Sequence, residues 1–78
     1  MKNRLINIFK EVLNLSDFTL DRNLTASDIE TWDSMNHVIL ILNIETEFSI
    51  SFTLSEMAEL KNIGDLIDLI IDKTGESL

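Results

Sequence analysis

Apolar residues recur at helical spacing in three stretches of this chain, and that periodicity closes off most of the folds open to 78 residues. In the first stretch Leu5, Ile8, Phe9, Val12 and Leu13 share one face, with Asn3, Arg4, Asn7, Lys10 and Glu11 opposite. In the second, Met35, Val38, Leu40 to Leu42, Ile44 and Phe48 run from Ser34 to about Phe48 and cover more than half the helix circumference. The third carries Ile63, Leu66, Ile67, Ile70 and Ile71 inward and Asp65, Asp68 and Asp72 outward. Asn62 suits its N-cap, Asp65 its first turn and Gly75 the position just past its end.

Two segments need other signals. Thr53 and Glu56 form a capping-box pattern, which places a short helix at about Leu54 to Leu60. The β-branched run Ile50-Ser51-Phe52-Thr53 has no partner strand anywhere in the chain, and an isolated strand cannot satisfy its backbone. The segment from Asn14 to Asp33 contains neither Gly nor Pro and shows no long helical pattern. A loop of about twenty residues in a small domain has to be functional or anchored. Phe18, Leu20, Leu24 and Ile29 are spaced to pin it to the bundle, and Ser27 with Glu30 is placed to cap one short turn. The expectation is a single all-α domain over residues 1–78, with three main helices and a short one.

Composition removes several kinds of function. The chain has no cysteine, hence no disulfide framework and no thiolate metal site, and a lone histidine makes an imidazole site unfavourable. Fourteen acids against six bases leave a net charge of −8. Such a field repels phosphate backbones and disfavours nucleic-acid binding, while suiting brief encounters with basic surfaces on partner proteins. The apolar run Val38 to Leu42 is too short to span a bilayer, and residues 1–20 lack a signal-peptide h-region, so a cytoplasmic protein is expected. No catalytic constellation is present: His37 has no partner base, no glycine-rich phosphate loop exists, and the acids fall on outward faces.

The segment Trp32-Asp33-Ser34-Met35-Asn36-His37-Val38 offers chemistry of another kind. Asp33 and Ser34 stand where the long loop becomes the second helix. Unpaired N–H groups and the positive end of the helix dipole there would stabilise a phosphate esterified to the serine. Asp33-Ser34-Met35, followed by Glu45-Thr46-Glu47-Phe48 and Ile63-Gly64-Asp65-Leu66, resembles the acyl carrier protein family over essentially the whole chain. That family has a loop ending in Asp-Ser-Leu or Asp-Ser-Met, a second helix ending in Glu-x-x-Phe, and a last helix opening with a Val/Ile-Gly-Asp-Leu-like stretch.

The resemblance implies an acyl-carrier-like four-helix bundle with a long loop between helices 1 and 2. It implies that Ser34 receives 4′-phosphopantetheine from coenzyme A through a separate, magnesium-dependent phosphopantetheinyl transferase. The thiol of that arm then holds acyl or aminoacyl groups for loading enzymes, synthases and thioesterases, and the chain itself is a non-catalytic, monomeric carrier. Asp33, Met35, His37 and Ile39 are the expected partner contacts. Each has a plainer role beside that one: Asp33 as helix cap, Met35 and Ile39 as core, His37 as surface. Trp32 is expected to anchor the loop. The outer face of the second helix carries Asn36, Ile39, Asn43 and Thr46, where fatty-acid carriers show several acids. That pattern is closer to stand-alone carriers of polyketide or other specialised pathways, and Asp-Ser-Met also occurs in aminoacyl carriers of the D-alanyl type. The alternative function is an unmodified acidic helical interaction module with the same fold.

Overall fold

In the computed structural model, which describes residues 2–76, four α-helices form the expected bundle, and no strand occurs among the described residues. Helix α1 spans Lys2–Val12, α2 Ser34–Phe48, α3 Leu54–Ala58 and α4 Ile63–Thr74, with a single 3₁₀ turn at Ala26–Asp28 in the long α1–α2 loop. Among the described residues, no helix is long and apolar enough to cross a membrane.

The helix ends are set by local chemistry. Asn62 accepts the N–H of Asp65 at 2.8 Å and caps α4. Gly75 follows that helix in the left-handed conformation at φ 74°, its N–H donating to Ile71. Helices α1 and α2 stop without glycine, through Asn14 (φ 54°) and Ser49 (φ 56°). In both, the next residue's N–H reaches back five positions, Leu15 to Lys10 at 2.9 Å and Ile50 to Glu45 at 3.1 Å. These bonds satisfy carbonyls the helix leaves open, which offsets the strain of a left-handed side-chain-bearing residue.

The core is one cluster built from α1, α2 and α4 together with Leu13, Trp32 and Phe52, and α3 adds the partly buried Met57. Leu5, Phe9, Leu13, Leu40, Ile44, Ile63, Ile67 and Ile70 are fully buried. Phe18, Leu20, Leu24 and Ile29 pack against it from the long loop, as their spacing predicted. Phe9 is the hinge of that packing: it stacks on Phe18 with centroids 5.0 Å apart and meets the edge of Trp32 at 5.5 Å. The loop is held by its backbone as well. Arg22 and Leu24 accept the N–H groups of Gly64 and Ile63 at 2.8 and 2.9 Å, so the loop satisfies the first turn of α4.

Two expectations are corrected. The short helix ends at Ala58 instead of Leu60, because Glu59 already donates back to Ser55 and Glu56 in a tightened last turn. The loop's turn is not closed by Ser27 and Glu30. Asp28 instead reaches back to the N–H and hydroxyl of Thr25, at 2.9 and 3.1 Å, around Ala26–Asp28. Helix α2 buries Leu40, Ile41, Ile44 and Phe48, whereas Met35, Val38, Ile39 and Leu42 face solvent. Only one stripe of that helix has neighbours to pack against, so the remaining apolar residues stay outside.

The Glu-x-x-Phe element has a structural basis. The Glu45 carboxylate accepts the N–H of Phe52 at 2.8 Å and fixes the α2–α3 connection. Phe48 is buried beneath the Arg4 guanidinium, 4.5 Å from its ring centroid. Arg4 in turn bonds the Glu47 carboxylate at 2.9 Å and the Glu47 carbonyl at 2.6 Å, clamping the start of α1 to the end of α2.

Candidate functional site at the start of helix α2

Asp33 is the N-cap of α2: its backbone is extended and its carboxylate accepts the N–H of Asn36 at 2.8 Å. Ser34 is therefore the first helical residue, and it is exposed. The Asp33 carbonyl takes the N–H of His37, which leaves the N–H groups of Ser34 and Met35 without an acceptor among the described residues. Two backbone donors and the dipole of a fifteen-residue helix thus converge beside the serine hydroxyl.

The loop approaching this point is locked. Trp32 is buried, and its Nε1–H donates to His37 Nδ1 at 3.1 Å across the cap, with the two rings stacked at 6.1 Å. The Asn36 side chain donates to the Thr31 carbonyl at 2.7 Å. Residues before and after Ser34 are consequently tied to each other, so the serine is presented from a rigid corner. Sequence reasoning placed His37 on the surface or toward a phosphate; its ring is half-buried and turned to Trp32. Five-residue spacing across a helix cap was the available signal.

Asp33, Met35 and Ile39 surround the serine differently. Asp33 is exposed, with one carboxylate oxygen engaged in the cap. Met35 is 73 % exposed and Ile39 41 %, so neither is a core residue.

The residues at this corner fit a phosphate ester carrying a long arm. An open groove of about 530 Å³ is lined by Ala26, Ser27, Trp32, Asp33, Ser34 and His37. Behind it, a narrow cavity of about 50 Å³ shares Ala26, Trp32 and His37 and extends to Leu60 and Leu66. Backbone donors are available for the phosphate, and among the described residues no side chain hydrogen-bonds the Ser34 hydroxyl. A larger open groove of about 760 Å³ between α3 and α4 is lined by Glu56, Glu59, Asp65 and Asp68, away from Ser34.

Comparisons with known proteins agree with this corner. The family model for the phosphopantetheine attachment site matches residues 3–70. Acyl carrier proteins from two strains of Porphyromonas gingivalis are 30 % identical over 70 residues, covering 90 % of this chain and 90 % of theirs. The solution structure of a holo acyl carrier protein from Geobacter metallireducens is 40 % identical and superposes with a TM-score of 0.88, over 94 % of this chain and 84 % of that one. A four-helix fold, a serine exposed at the start of its second helix and these likenesses along nearly the whole length lead to one conclusion: the chain belongs to the acyl carrier protein family, whose prosthetic group is 4′-phosphopantetheine.

Proposed function

We propose that Ser34 is the attachment point of the phosphopantetheine arm and that residues 1–78 act as one monomeric, non-catalytic carrier domain in the cytoplasm. The observation that carries this reading is the position of Ser34: exposed at the first turn of α2, between a cap already engaged by Asp33 and two free backbone N–H groups. In loading, Ser34 Oγ forms the new bond to the pantetheine phosphorus of coenzyme A while the pyrophosphate bond breaks. Adenosine bisphosphate leaves, and the hydroxyl proton passes to a base on the phosphopantetheinyl transferase. When bound, the arm supplies a thiol that holds acyl or aminoacyl groups as thioesters. Because the chain has no cysteine, that thiol is the only one present.

The chain's own residues position and protect. The N–H groups of Ser34 and Met35, which have no acceptor among the described residues, would be available to hold the ester phosphate. Trp32 and His37 hold the corner still, so partner enzymes meet a fixed point of departure for the arm. Asp33 adjoins Ser34, Met35 and Ile39 are exposed along α2, and His37 lines the groove that Ser34 shares, and we assign partner contact to these four. Acyl-loading enzymes, synthases and thioesterases are the partners this role requires.

Intact mass after incubation with coenzyme A, Mg²⁺ and a broad-specificity phosphopantetheinyl transferase tests the proposal. The wild type should gain one phosphopantetheine and the Ser34→Ala variant none, with unchanged helical content. No gain by folded wild type with two different transferases would leave an unmodified interaction module as the better reading.

A further inference from the structure

His37 is the only histidine of the chain, and imidazole is the side chain that changes charge between about pH 5 and 8. Its Nδ1 accepts the indole N–H of Trp32 at 3.1 Å. An acceptor at Nδ1 requires a neutral ring with its proton on Nε2. The ring lines the same open groove as Ser34, so solvent protons reach it. A second proton places a donor at Nδ1 against the donor of the indole. Indole N–H only donates, and Trp32 is buried, so the pair cannot re-form with the roles exchanged. The stacked rings lie 6.1 Å apart, at the outer limit of about 6 Å for cation–π attraction, which leaves little to replace the bond. Two charged groups face His37: Asp33 at the start of its own helix and Lys61 from the α3–α4 connection. The long loop brings Ala26, Ser27 and Trp32 and α4 brings Leu66, none of them charged. The Asp33 carboxylate is engaged at the cap, and no ion pair among the described residues includes His37. The indole bond is the tie between this ring and the loop.

We propose that His37 is a positioning residue for the loading of Ser34, acting through Trp32 and only while its ring is neutral. The proposal rests on Ser34 as the attachment point. Trp32 precedes the serine and His37 follows it, so their bond closes the chain around Ser34. Beyond the cap itself, one other side-chain bond spans the serine, from Asn36 to the Thr31 carbonyl. The Thr31 hydroxyl on the same turn is buried without a partner among the described residues, so it adds no tie. Protonation of His37 therefore removes one of two ties. The corner then samples orientations that present Ser34 wrongly, and the transferase binds only the fraction still in place. That loss falls on KM and leaves kcat alone, because the bound complex is the same.

The test pairs a readout on the free chain with loading kinetics. Emission of Trp32, the only tryptophan, is recorded at about pH 7.5 and about pH 5.5, on either side of the imidazole range. The wild type should shift between the two, and His37→Asn, whose side-chain oxygen accepts the indole N–H at both, should not. The wild-type KM for a phosphopantetheinyl transferase is divided by that of His37→Asn at each pH, which removes the transferase's own response. This ratio should rise by about threefold to tenfold on acidification, the factor one hydrogen bond supplies, with the kcat ratio unchanged. Trp32→Phe removes the donor but keeps a ring in the core, and its KM, referred to the same standard, should show no such rise. A rise that persists in Trp32→Phe would show His37 acting on the transferase directly and overturn the positioning role. So would a KM ratio flat with pH, or wild-type emission that does not move. If the wild type is loaded at neither pH, the attachment reading fails and the positioning role falls with it; normal loading with a flat KM ratio overturns the positioning role alone.

Discussion

Gly64→Ala separates two physical effects that have opposite signs. In a helix, alanine is favoured over glycine by about 0.8–1 kcal/mol, so propensity alone predicts a more stable protein. The long loop predicts the reverse. A Cβ on Gly64 would lie 3.0 Å from the Arg22 carbonyl oxygen, 3.1 Å from Arg22 Cβ and 3.2 Å from Asn62 Oδ1. The first two atoms belong to the loop where it lies on α4, and the carbonyl is part of its backbone. Relief requires the loop to withdraw, which weakens the bonds from Gly64 to Arg22 and from Ile63 to Leu24. At about 0.5–1.5 kcal/mol per bond, losing both costs roughly 1–3 kcal/mol. Set against the propensity gain, the net is a destabilisation of about 1 kcal/mol, or roughly 4–8 °C in Tm for a domain of this size. Urea unfolding followed by Trp32 fluorescence measures it, with an unchanged m-value marking a true stability effect. A stabilisation of about 0.5 kcal/mol or more, in the direction of the propensity gain, would refute the docking of the loop on α4. The Arg22–Asp68 ion pair at 2.8 Å is too exposed to change this balance.

Three further outcomes are expected. Asp33→Ala removes the α2 cap and should lower stability by about 0.5–2 kcal/mol, while Asp33→Asn, which can still accept the Asn36 N–H, should lose much less by the same urea measurement. Glu56 has its carboxyl held below the usual range, first by the N–H of Thr53 and then by Lys73, 3.0 Å away. A depressed folded-state value means its stabilisation is present above the unfolded carboxylate value and is lost as pH falls through the folded one. The stability gap between wild type and Glu56→Gln should therefore be present at neutral pH and close on acidification; a gap that widens would contradict the sign. His37→Leu deprives the Trp32 indole of its acceptor and should shift the emission of the only tryptophan at neutral pH, where unchanged emission would disprove the bond.

Legibility in the sequence followed amphipathicity. Helices α1 and α4 have one apolar face each, so periodicity located both the helix and its buried side: Leu5, Phe9, Ile63, Ile67 and Ile70 are all in the core. In α2 apolar residues occupy more than half of the circumference, and periodicity alone could not choose which stripe would find neighbours; the exposed one is Met35, Val38, Ile39 and Leu42. Caps made by adjacent residues, such as Asn62 with Asp65 and Thr53 with Glu56, were readable because donor and acceptor lie within four positions. Contacts across the fold were not. Nothing local announces that Arg22 and Leu24 will cap α4, or that the Glu45 carboxylate will hold Phe52 instead of facing a partner. Ser34 was readable as an exposed helix start, whereas the corner that immobilises it, Trp32 bonded to His37 and Asn36 bonded to Thr31, emerged only from the folded chain.

The most direct test of the central claim is localisation of the modification within the loaded protein. Cleavage after Arg22 and Lys61 releases a peptide that contains Ser27, Ser34, Ser49, Ser51 and Ser55. Tandem mass spectrometry of that peptide should place one phosphopantetheine on Ser34 and leave the other four serines unmodified. An adduct on any other residue, or persistent loading of Ser34→Ala, would contradict the assignment of the α2 N-terminus as the attachment site.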